Sequence, residues 1–147
     1  MKIRAATYAD AEAGAQVLQR SIAELCRADH NDNDTVLAAW TANKTPRNWK
    51  IWIDQNETEL FVAVASDQIA GVGMLDHAGT IMLNYVSPDH RWRGVSKALL
   101  ARMERQAFDW GLRECVVEST NAARRFYESA GYHGSSDTPR MTKTISV

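Results

Sequence analysis

The stretch SPDHRWRGVSKALL, residues 87–100, lies where an apolar strand pattern changes into a helical one. Two arginines, a tryptophan and a glycine stand at this change, although a plain strand-to-helix connection needs only a turn residue and a helix cap. The first backbone N–H groups of a helix lack partners within it, and the helix dipole favours negative charge there. Gly94 would let the backbone approach a bulky anion, and Arg91 and Arg93 would attract it. The stretch therefore predicts a phosphate site; the alternative is a solvated loop whose arginines cover the helix.

Strand and helix patterns alternate on both sides of this stretch. Short apolar or alternating runs predict strands at residues 2–6, 60–65, 69–75, 80–86, 115–118 and 140–147. Residues 7–10 have the form of a capping box that opens a first helix, with Ala11, Ala15, Leu18, Ile22 and Leu25 on its apolar face. Apolar residues at helical spacing predict further helices at about 36–42, 47–54, 94–110 and 120–130. In the fourth helix, the residues predicted to face the core are Leu99, Leu100, Met103 and Ala107. This order of elements predicts an α/β layer structure with a mixed sheet.

Composition limits the class of protein. With 147 residues, 45% hydrophobic and 24% charged, the chain can form one globular domain with a buried core. A formal net charge of −1 argues against nucleic-acid and acidic-membrane partners, because both require a basic excess. The polar start and the lack of a long apolar run predict no signal peptide, no membrane partner and a cytoplasmic location.

Neither the cysteines nor the acidic residues predict a metal. Cys26 and Cys115 lie far apart without a second pair of ligands, which argues against a zinc site and a disulfide framework. The polar run 29–34 resembles a calcium loop at first sight. However, it has Asp34 where that loop needs glycine and Trp40 where it needs glutamate. The run is therefore predicted to be a flexible loop between helices.

Two motifs together resemble the GNAT N-acyltransferase superfamily. Residues 91–96, RWRGVS, resemble its pyrophosphate-binding motif R/Q-x-x-G-x-G/A, and residues 123–132, ARRFYESAGY, resemble its later helix A-x-x-F-Y-x-x-x-G-F/Y. The resemblance implies one N-acetyltransferase domain over residues 1–147. Its fold would be α/β (α+β), with a mixed central sheet of six to seven strands and helices on both faces. It also implies that acetyl-CoA is the co-substrate and that the acetyl group passes directly to a primary amine.

The resemblance also assigns roles to residues. A strand would lie beside the pantetheine arm of acetyl-CoA, and one of its N–H groups would polarise the thioester carbonyl. The following loop and helix start would wrap the pyrophosphate, and Tyr127 would protonate the departing thiolate. That transfer is chemically reasonable, because a phenol of pKa about 10 can protonate a thiolate of pKa about 8.5. The residues assigned to cofactor binding are Asn84, Tyr85, Val86, Arg91, Trp92, Arg93, Gly94, Val95, Ser96, Lys97, Thr120 and Asn121.

Three of these positions depart from the family pattern. Ser96 replaces a glycine or alanine, and its hydroxyl could bond to the phosphate or crowd it. Trp92 stands where relatives have glycine or a basic residue, and it could border the ribose or adenine of CoA or only cover the loop. The family often has asparagine at the position of Thr120, and here Asn121 follows it, so either residue could touch the cofactor.

The acceptor half of the site is less determined. The amine must be neutral to attack, so a base or a water chain is expected. Candidate bases are Glu24, Asp29, His30, Asp76, His77 and Glu118. The tryptophans that could line an apolar acceptor pocket, or instead pack helices on the sheet, are Trp40, Trp49 and Trp52. The expected acceptor is a small-molecule amine, a peptide N-terminus or a lysine, and a second copy of the chain, in a homodimer, is the other partner considered.

Two further interpretations compete with an enzyme. One is a non-catalytic acyl-CoA-binding or regulatory domain of the same fold, against which the presence of Tyr127 argues. The other is a nucleotide-phosphate binder, but the chain has neither a P-loop lysine motif nor a dinucleotide fingerprint. Direct transfer is favoured because no serine or cysteine stands out as a nucleophile, and Cys115 begins an apolar strand typical of a core.

Overall fold

Within residues 1–146, which the computed structural model describes, six strands form one mixed sheet. They lie side by side in chain order, and neighbours are antiparallel except the fourth and fifth, which are parallel. The predicted mixed sheet is confirmed, with six of the expected six to seven strands. The strands are β1 (Lys2–Ala5), β2 (Thr58–Ala65), β3 (Gln68–Asp76), β4 (Thr80–Val86), β5 (Glu114–Glu118) and β6 (Arg140–Thr144).

Over the same residues, six α-helices flank the sheet. None of those helices is both long and apolar enough to cross a lipid bilayer. Two short 3₁₀ turns, Tyr8–Asp10 and Pro88–His90, precede the first and fifth helices. The helices are α1 (Ala11–Leu25), α2 (Arg27–His30), α3 (Asp34–Thr41), α4 (Pro46–Asp54), α5 (Val95–Asp109) and α6 (Arg124–Ser129).

Each face of the sheet has its own apolar core, so helices cover both faces as predicted. α5 and α6 pack on one face with Cys115, and α1 and α4 pack on the other. The four α5 residues predicted to face inward are all buried: Leu99, Leu100, Met103 and Ala107. Trp49 and Trp52 belong to the second core, so they pack a helix on the sheet rather than line a pocket.

Gly14 provides the space in which α1 and α4 meet. A Cβ at this position would lie 2.2 Å from the Trp49 ring. The ring cannot easily withdraw, because it is fully buried and its Nε1 donates a hydrogen bond to the Thr7 carbonyl at 3.1 Å. Glycine is therefore required here for space, although it disfavours a helix interior by about 1 kcal/mol relative to alanine.

We expect Gly14→Ala to lower the free energy of unfolding by about 1–3 kcal/mol, because the added methyl group overpacks the contact with Trp49. Helix propensity alone would raise it by about 1 kcal/mol, so the sign of the change is diagnostic. Chemical denaturation measures the difference. Gln16→Ala, at an exposed position of the same helix, is the control and should be nearly neutral. A stabilising Gly14→Ala would contradict the close contact.

The polar run 29–34 is only partly the loop between helices that the sequence predicts, since residues 31–33 form a turn between α2 and α3. Its first two residues, Asp29 and His30, belong to α2. His30 is 1% exposed, its Nε2 bonds to the Ile22 carbonyl at 2.9 Å, and its Nδ1 accepts from the Asp32 N–H at 3.0 Å. The loop prediction was wrong for Asp29 and His30, because the buried histidine anchors this segment to α1.

The last helix also begins later than predicted. A helix was expected from Thr120, whereas α6 begins at Arg124. The Asp29 carboxylate accepts hydrogen bonds from the Asn121 N–H at 2.6 Å and the Ala122 N–H at 3.2 Å. A contact between residues more than ninety positions apart thus holds a turn where the local pattern favours a helix.

The remaining boundaries differ by small amounts. The fourth predicted helix, 94–110, is observed as Val95–Asp109, with Gly94 as its N-cap. The last strand, predicted over 140–147, ends at Thr144, and residue 147 lies outside the described residues.

The parallel pair in the sheet opens towards the end of β4. Its register pairs Thr80 with Val116 and Ile81 with Val117. Beyond Ile81, β4 continues to Val86 with its register to β3 alone. Backbone groups on the other edge of this half-strand are therefore available to a ligand that lies between the two strands.

Candidate active site

The start of α5 is held directly beside the open end of β4. A Cβ at Gly71 on β3 would lie 2.6 Å from Val95 Cγ1, so the lack of a side chain lets the helix approach the sheet closely. Gly94 has a left-handed backbone, with φ 75°, and a Cβ there would meet nothing within 4 Å. The helix N-terminus consequently faces open space, where an anion can reach its N–H groups.

A cavity of about 450 Å³ lies at this junction. Its wall is formed by the end of β4, the turn and helix start that follow, the end of α1 and the beginning of α6. Arg93 and Asn121, both assigned to the cofactor by the resemblance, are outside the wall. The predicted residues that do line it are Asn84, Tyr85, Val86, Arg91, Trp92, Gly94, Val95, Ser96, Lys97, Thr120 and Tyr127.

Sequence reasoning missed the contribution of α1. Ser21, Leu25 and Cys26 line the cavity from this helix. Next to them, the Arg20 guanidinium makes two hydrogen bonds to the Asp89 carboxylate, at 2.8 and 3.2 Å, between α1 and the turn after β4. The sequence signal for this contribution was a polar residue, Ser21, on the apolar side of a helix. The cavity residues of β4, α5 and α6 lie far from it in sequence.

The chemistry of the wall suits a polyanion. Arg91 and Lys97 line the cavity, and no aspartate or glutamate does so among the described residues. Two polar atoms of lining residues, Asn84 Oδ1 and His90 Nδ1, are buried without a hydrogen-bond partner. Such unsatisfied atoms are rare in folded proteins and call for a functional or solvent explanation. Cationic side chains, a free helix start and the open space at Gly94 together fit the diphosphate of a coenzyme.

Tyr127, the predicted proton donor, is buried at the cavity wall. It is 4% exposed, yet it lines the cavity, and its ring packs edge-on against Tyr132 with centroids 5.5 Å apart. Burial raises the pKa of the Tyr127 phenol well above its usual value, and the nearby Asn84 side chain opposes that rise. The phenol therefore holds its proton at neutral pH.

Polar contacts join the elements near Tyr127 without involving its hydroxyl. The Tyr132 hydroxyl donates to Glu104 Oε2 at 2.7 Å, and Lys143 Nζ lies 3.1 Å from Glu104 Oε1. Asn84 Nδ2 donates to the Ser96 carbonyl at 3.3 Å, which joins β4 to the first turn of α5. The first turn of α5 is thus tied to β4 at the cavity wall.

Three of the candidate bases are engaged elsewhere through ion pairs or buried bonds. Glu24 pairs with Arg20 at 3.0 Å. Asp29 accepts from the backbone before α6, and both nitrogens of buried His30 are bonded. None of the three lines the cavity.

The other three candidates also lie off the cavity wall. Asp76 Oδ1 accepts from the Ala78 and Thr80 N–H groups and so closes a turn. His77 packs edge-on against Trp110, with centroids 4.4 Å apart. Glu118 is exposed at the end of β5. The structure therefore brings no predicted base to the cavity.

None of the three candidate tryptophans lines the cavity. Trp40 lies edge-on to His30, with ring centroids 6.3 Å apart. Trp49 and Trp52 belong to the core between α4 and the sheet.

The cysteines are poor nucleophiles. Cys26 lines the cavity, but burial raises the pKa of its thiol to about 11. Burial raises the pKa of the Cys115 thiol to about 11 as well, and Cys115 is in the core. Because the thiolate is the reactive form, neither side chain is prepared for covalent catalysis at neutral pH. No cluster of three or more histidine, cysteine or acidic residues is arranged for a metal within residues 1–146.

Comparison with known proteins identifies the fold and the family. A sequence model described as “Acetyltransferase (GNAT) domain” matches residues 9–146. A search of curated protein sequences finds no match.

Solved structures match over nearly the whole chain. A GCN5-related N-acetyltransferase from Rhodopseudomonas palustris is 21% identical, with a TM-score of 0.86, covering 98% of this chain and 95% of that one. The PaiA N-acetyltransferase from Thermoplasma acidophilum, in complex with coenzyme A, is 17% identical, with a TM-score of 0.82 and 98% of each chain covered. The ribosomal-protein-S18-alanine N-acetyltransferase from Escherichia coli is 17% identical, with a TM-score of 0.69, covering 99% of this chain and 94% of that one. At these identities the likeness establishes the fold.

Proposed function

This chain belongs to the GNAT acetyltransferase family, and on that premise we propose that it moves an acetyl group directly from acetyl-CoA to a primary amine. One observation carries the proposal: a single cavity joins the open helix start at Gly94, the end of β4 and the buried phenol of Tyr127. The family match over residues 9–146 supports one N-acetyltransferase domain spanning the chain.

The cavity residues divide the work of binding acetyl-CoA. The helix start, with Arg91 and Lys97, would hold the diphosphate through backbone N–H groups and positive charge. The end of β4, from Asn84 to Val86, would lie beside the pantetheine arm, whose two amides can pair with the free strand edge. An N–H group on this edge would polarise the thioester carbonyl.

The transfer itself needs one proton donor and one proton acceptor. The neutral amine forms a C–N bond to the thioester carbonyl carbon, and the C–S bond then breaks with its electron pair on sulfur. Tyr127 gives its phenolic proton to that sulfur. The amine loses a proton, which we assign to water because no carboxylate lines the cavity among the described residues. A proton from solvent then restores the phenol.

The acceptor enters from the side of α1. Ser21, Leu25 and Cys26 would contact it there, and these side chains are uncharged at neutral pH.

An amine panel tests the proposal: acetylated product is measured by mass spectrometry for small amines, amino acids, peptide N-termini and peptide lysines. We expect at least one class to be acetylated with release of free CoA. Binding of acetyl-CoA without any product would favour the non-catalytic alternative.

We expect the affinity for CoA to fall as ionic strength rises from about 0.1 M to about 1 M, because the screening length shortens from about 10 Å to about 3 Å. Lys97→Ala should lower the affinity and flatten this dependence, since Lys97 lines the cavity. Arg93→Ala should act in the same direction but less, because Arg93 lies outside the wall. Titration calorimetry at several salt concentrations measures both.

The matched control is Arg105→Ala on the same helix, where the guanidinium is paired with Asp109 at 3.2 Å. It changes the net charge equally and should leave the salt dependence unchanged. Wild-type binding that ignores salt would mean that backbone N–H groups alone hold the phosphates.

A further inference from the structure

Trp92 is unfavourably placed in two respects. Its side chain is 89% exposed, more than any other large apolar residue in the described part of the chain, the next being Met1 at 62%. Its backbone is left-handed, with φ 65°, a conformation that bulky residues rarely adopt. Such strain costs about 1–3 kcal/mol and is concentrated at functional sites. Glycine or asparagine would adopt this turn more easily, so the indole needs an explanation other than folding.

The indole is arranged as an open platform at the cavity. Trp92 lines the wall two residues before Gly94, next to the helix start that receives the diphosphate. The Arg91 guanidinium lies 4.6 Å from the ring centroid and covers part of the indole. This cation–π contact limits the side chain's freedom, and the high exposure leaves ring surface free for a ligand.

We propose that Trp92 is a specificity-determining residue that stacks on the adenine of acetyl-CoA. This inference rests on the proposed function and deepens it. In CoA the adenosine is joined directly to the diphosphate. A diphosphate bound at the start of α5 therefore places the adenine only one ribose away from that helix start. A purine offers a flat π-face, and an exposed indole is the side chain that stacks on such a face most effectively. The contact would also cover the exposed ring.

Comparing CoA with a fragment that lacks the adenine separates stacking from a general role in ligand binding. We expect Trp92→Ala to weaken CoA binding about tenfold, within the range of roughly 5- to 150-fold that one stacked base represents. Binding of 4′-phosphopantetheine, which keeps one phosphate and lacks the second phosphate and the 3′-phosphoadenosine, should change less than about twofold. Trp92→Phe keeps an aromatic face and should recover most of the affinity for CoA. Titration calorimetry with both ligands measures these differences.

A second variant uses the backbone strain. Asparagine tolerates a left-handed conformation, so Trp92→Asn should melt at the same temperature as the wild type or higher without ligand. It should nevertheless lose affinity for CoA as Trp92→Ala does. A residue that only stabilised the loop would lose stability and affinity together.

Each contrary result has its own meaning. Unchanged CoA affinity in Trp92→Ala overturns the stacking role. Equal weakening towards both ligands also overturns it, and would assign Trp92 to the shape of the diphosphate loop. Loss of self-association in Trp92→Ala, with CoA affinity unchanged, would overturn it in favour of a second copy of the chain. If the wild type binds no CoA, the proposed function falls first, and this inference falls with it.

Discussion

Tyr127→Phe should slow acetyl transfer roughly 10²–10⁴-fold, the usual loss for a positioned acid, while acetyl-CoA affinity stays within about twofold of the wild type. The reason is that the phenylalanine ring keeps the packing against Phe126 and Tyr132 but has no proton to give to the departing sulfur. Calorimetry gives the affinity, and product formation with the best amine gives the rate.

Tyr132→Phe is the matched control. Tyr132 is also buried, but its hydroxyl donates to Glu104 and does not line the cavity. The loss of that hydrogen bond should cost stability, by about 1–3 kcal/mol, and leave the rate per folded enzyme nearly unchanged. Turnover that survives Tyr127→Phe intact would remove this side chain from the mechanism.

Gly94→Val should abolish the rise in thermal stability that CoA gives the wild type. A ligand at a hundred times its dissociation constant stabilises the native state by about 2.7 kcal/mol, and the valine side chain would occupy the space that the diphosphate needs. A Cβ at Gly94 would meet no protein atom within 4 Å and would project into the open space at the helix start. Melting with and without CoA measures the effect.

Gly111→Val separates the loss of binding from backbone strain. Gly111 follows the other end of α5 with φ 89°, and a Cβ there also meets nothing within 4 Å. Both valine variants should therefore lose similar stability without ligand, because a β-branched residue is strained at positive φ. Only Gly94→Val should lose the response to CoA. An equal response in the two variants would place the diphosphate elsewhere.

Local patterns were sufficient for the strands and the long helices. The apolar faces of α1 and α5 were both read from helical spacing, and both are buried against the sheet. The failures occurred where distant contacts override local preference. His30 is buried by bonds to Ile22 and Asp32, and the Asp29 carboxylate delays the start of α6. Local sequence propensities cannot predict these contacts, because the partners lie apart in the sequence.

The cavity lining around the end of β4 could be predicted, and the lining from α1 could not. Residues 84–97 are one continuous stretch, so the predicted residues among them appear together in the sequence, and Tyr127 belongs to a second motif. The lining from α1 depends on how this helix packs beside the Pro88–His90 turn, where Arg20 pairs with Asp89. Charge alone suggested bases such as Asp76, but that carboxylate closes a turn.

A single-turnover experiment with acetyl-CoA labelled in its acetyl group tests the central claim most directly. The wild-type enzyme is mixed with the labelled substrate, first alone and then with the best amine, and the label is located by mass spectrometry after rapid quenching. Direct transfer predicts that the protein carries no label, with or without the amine, and that the label passes to the amine in step with the release of free CoA. Label bound covalently to the protein, at Cys26 for example, would contradict direct transfer, and label that stays on CoA with every amine would contradict the enzyme itself.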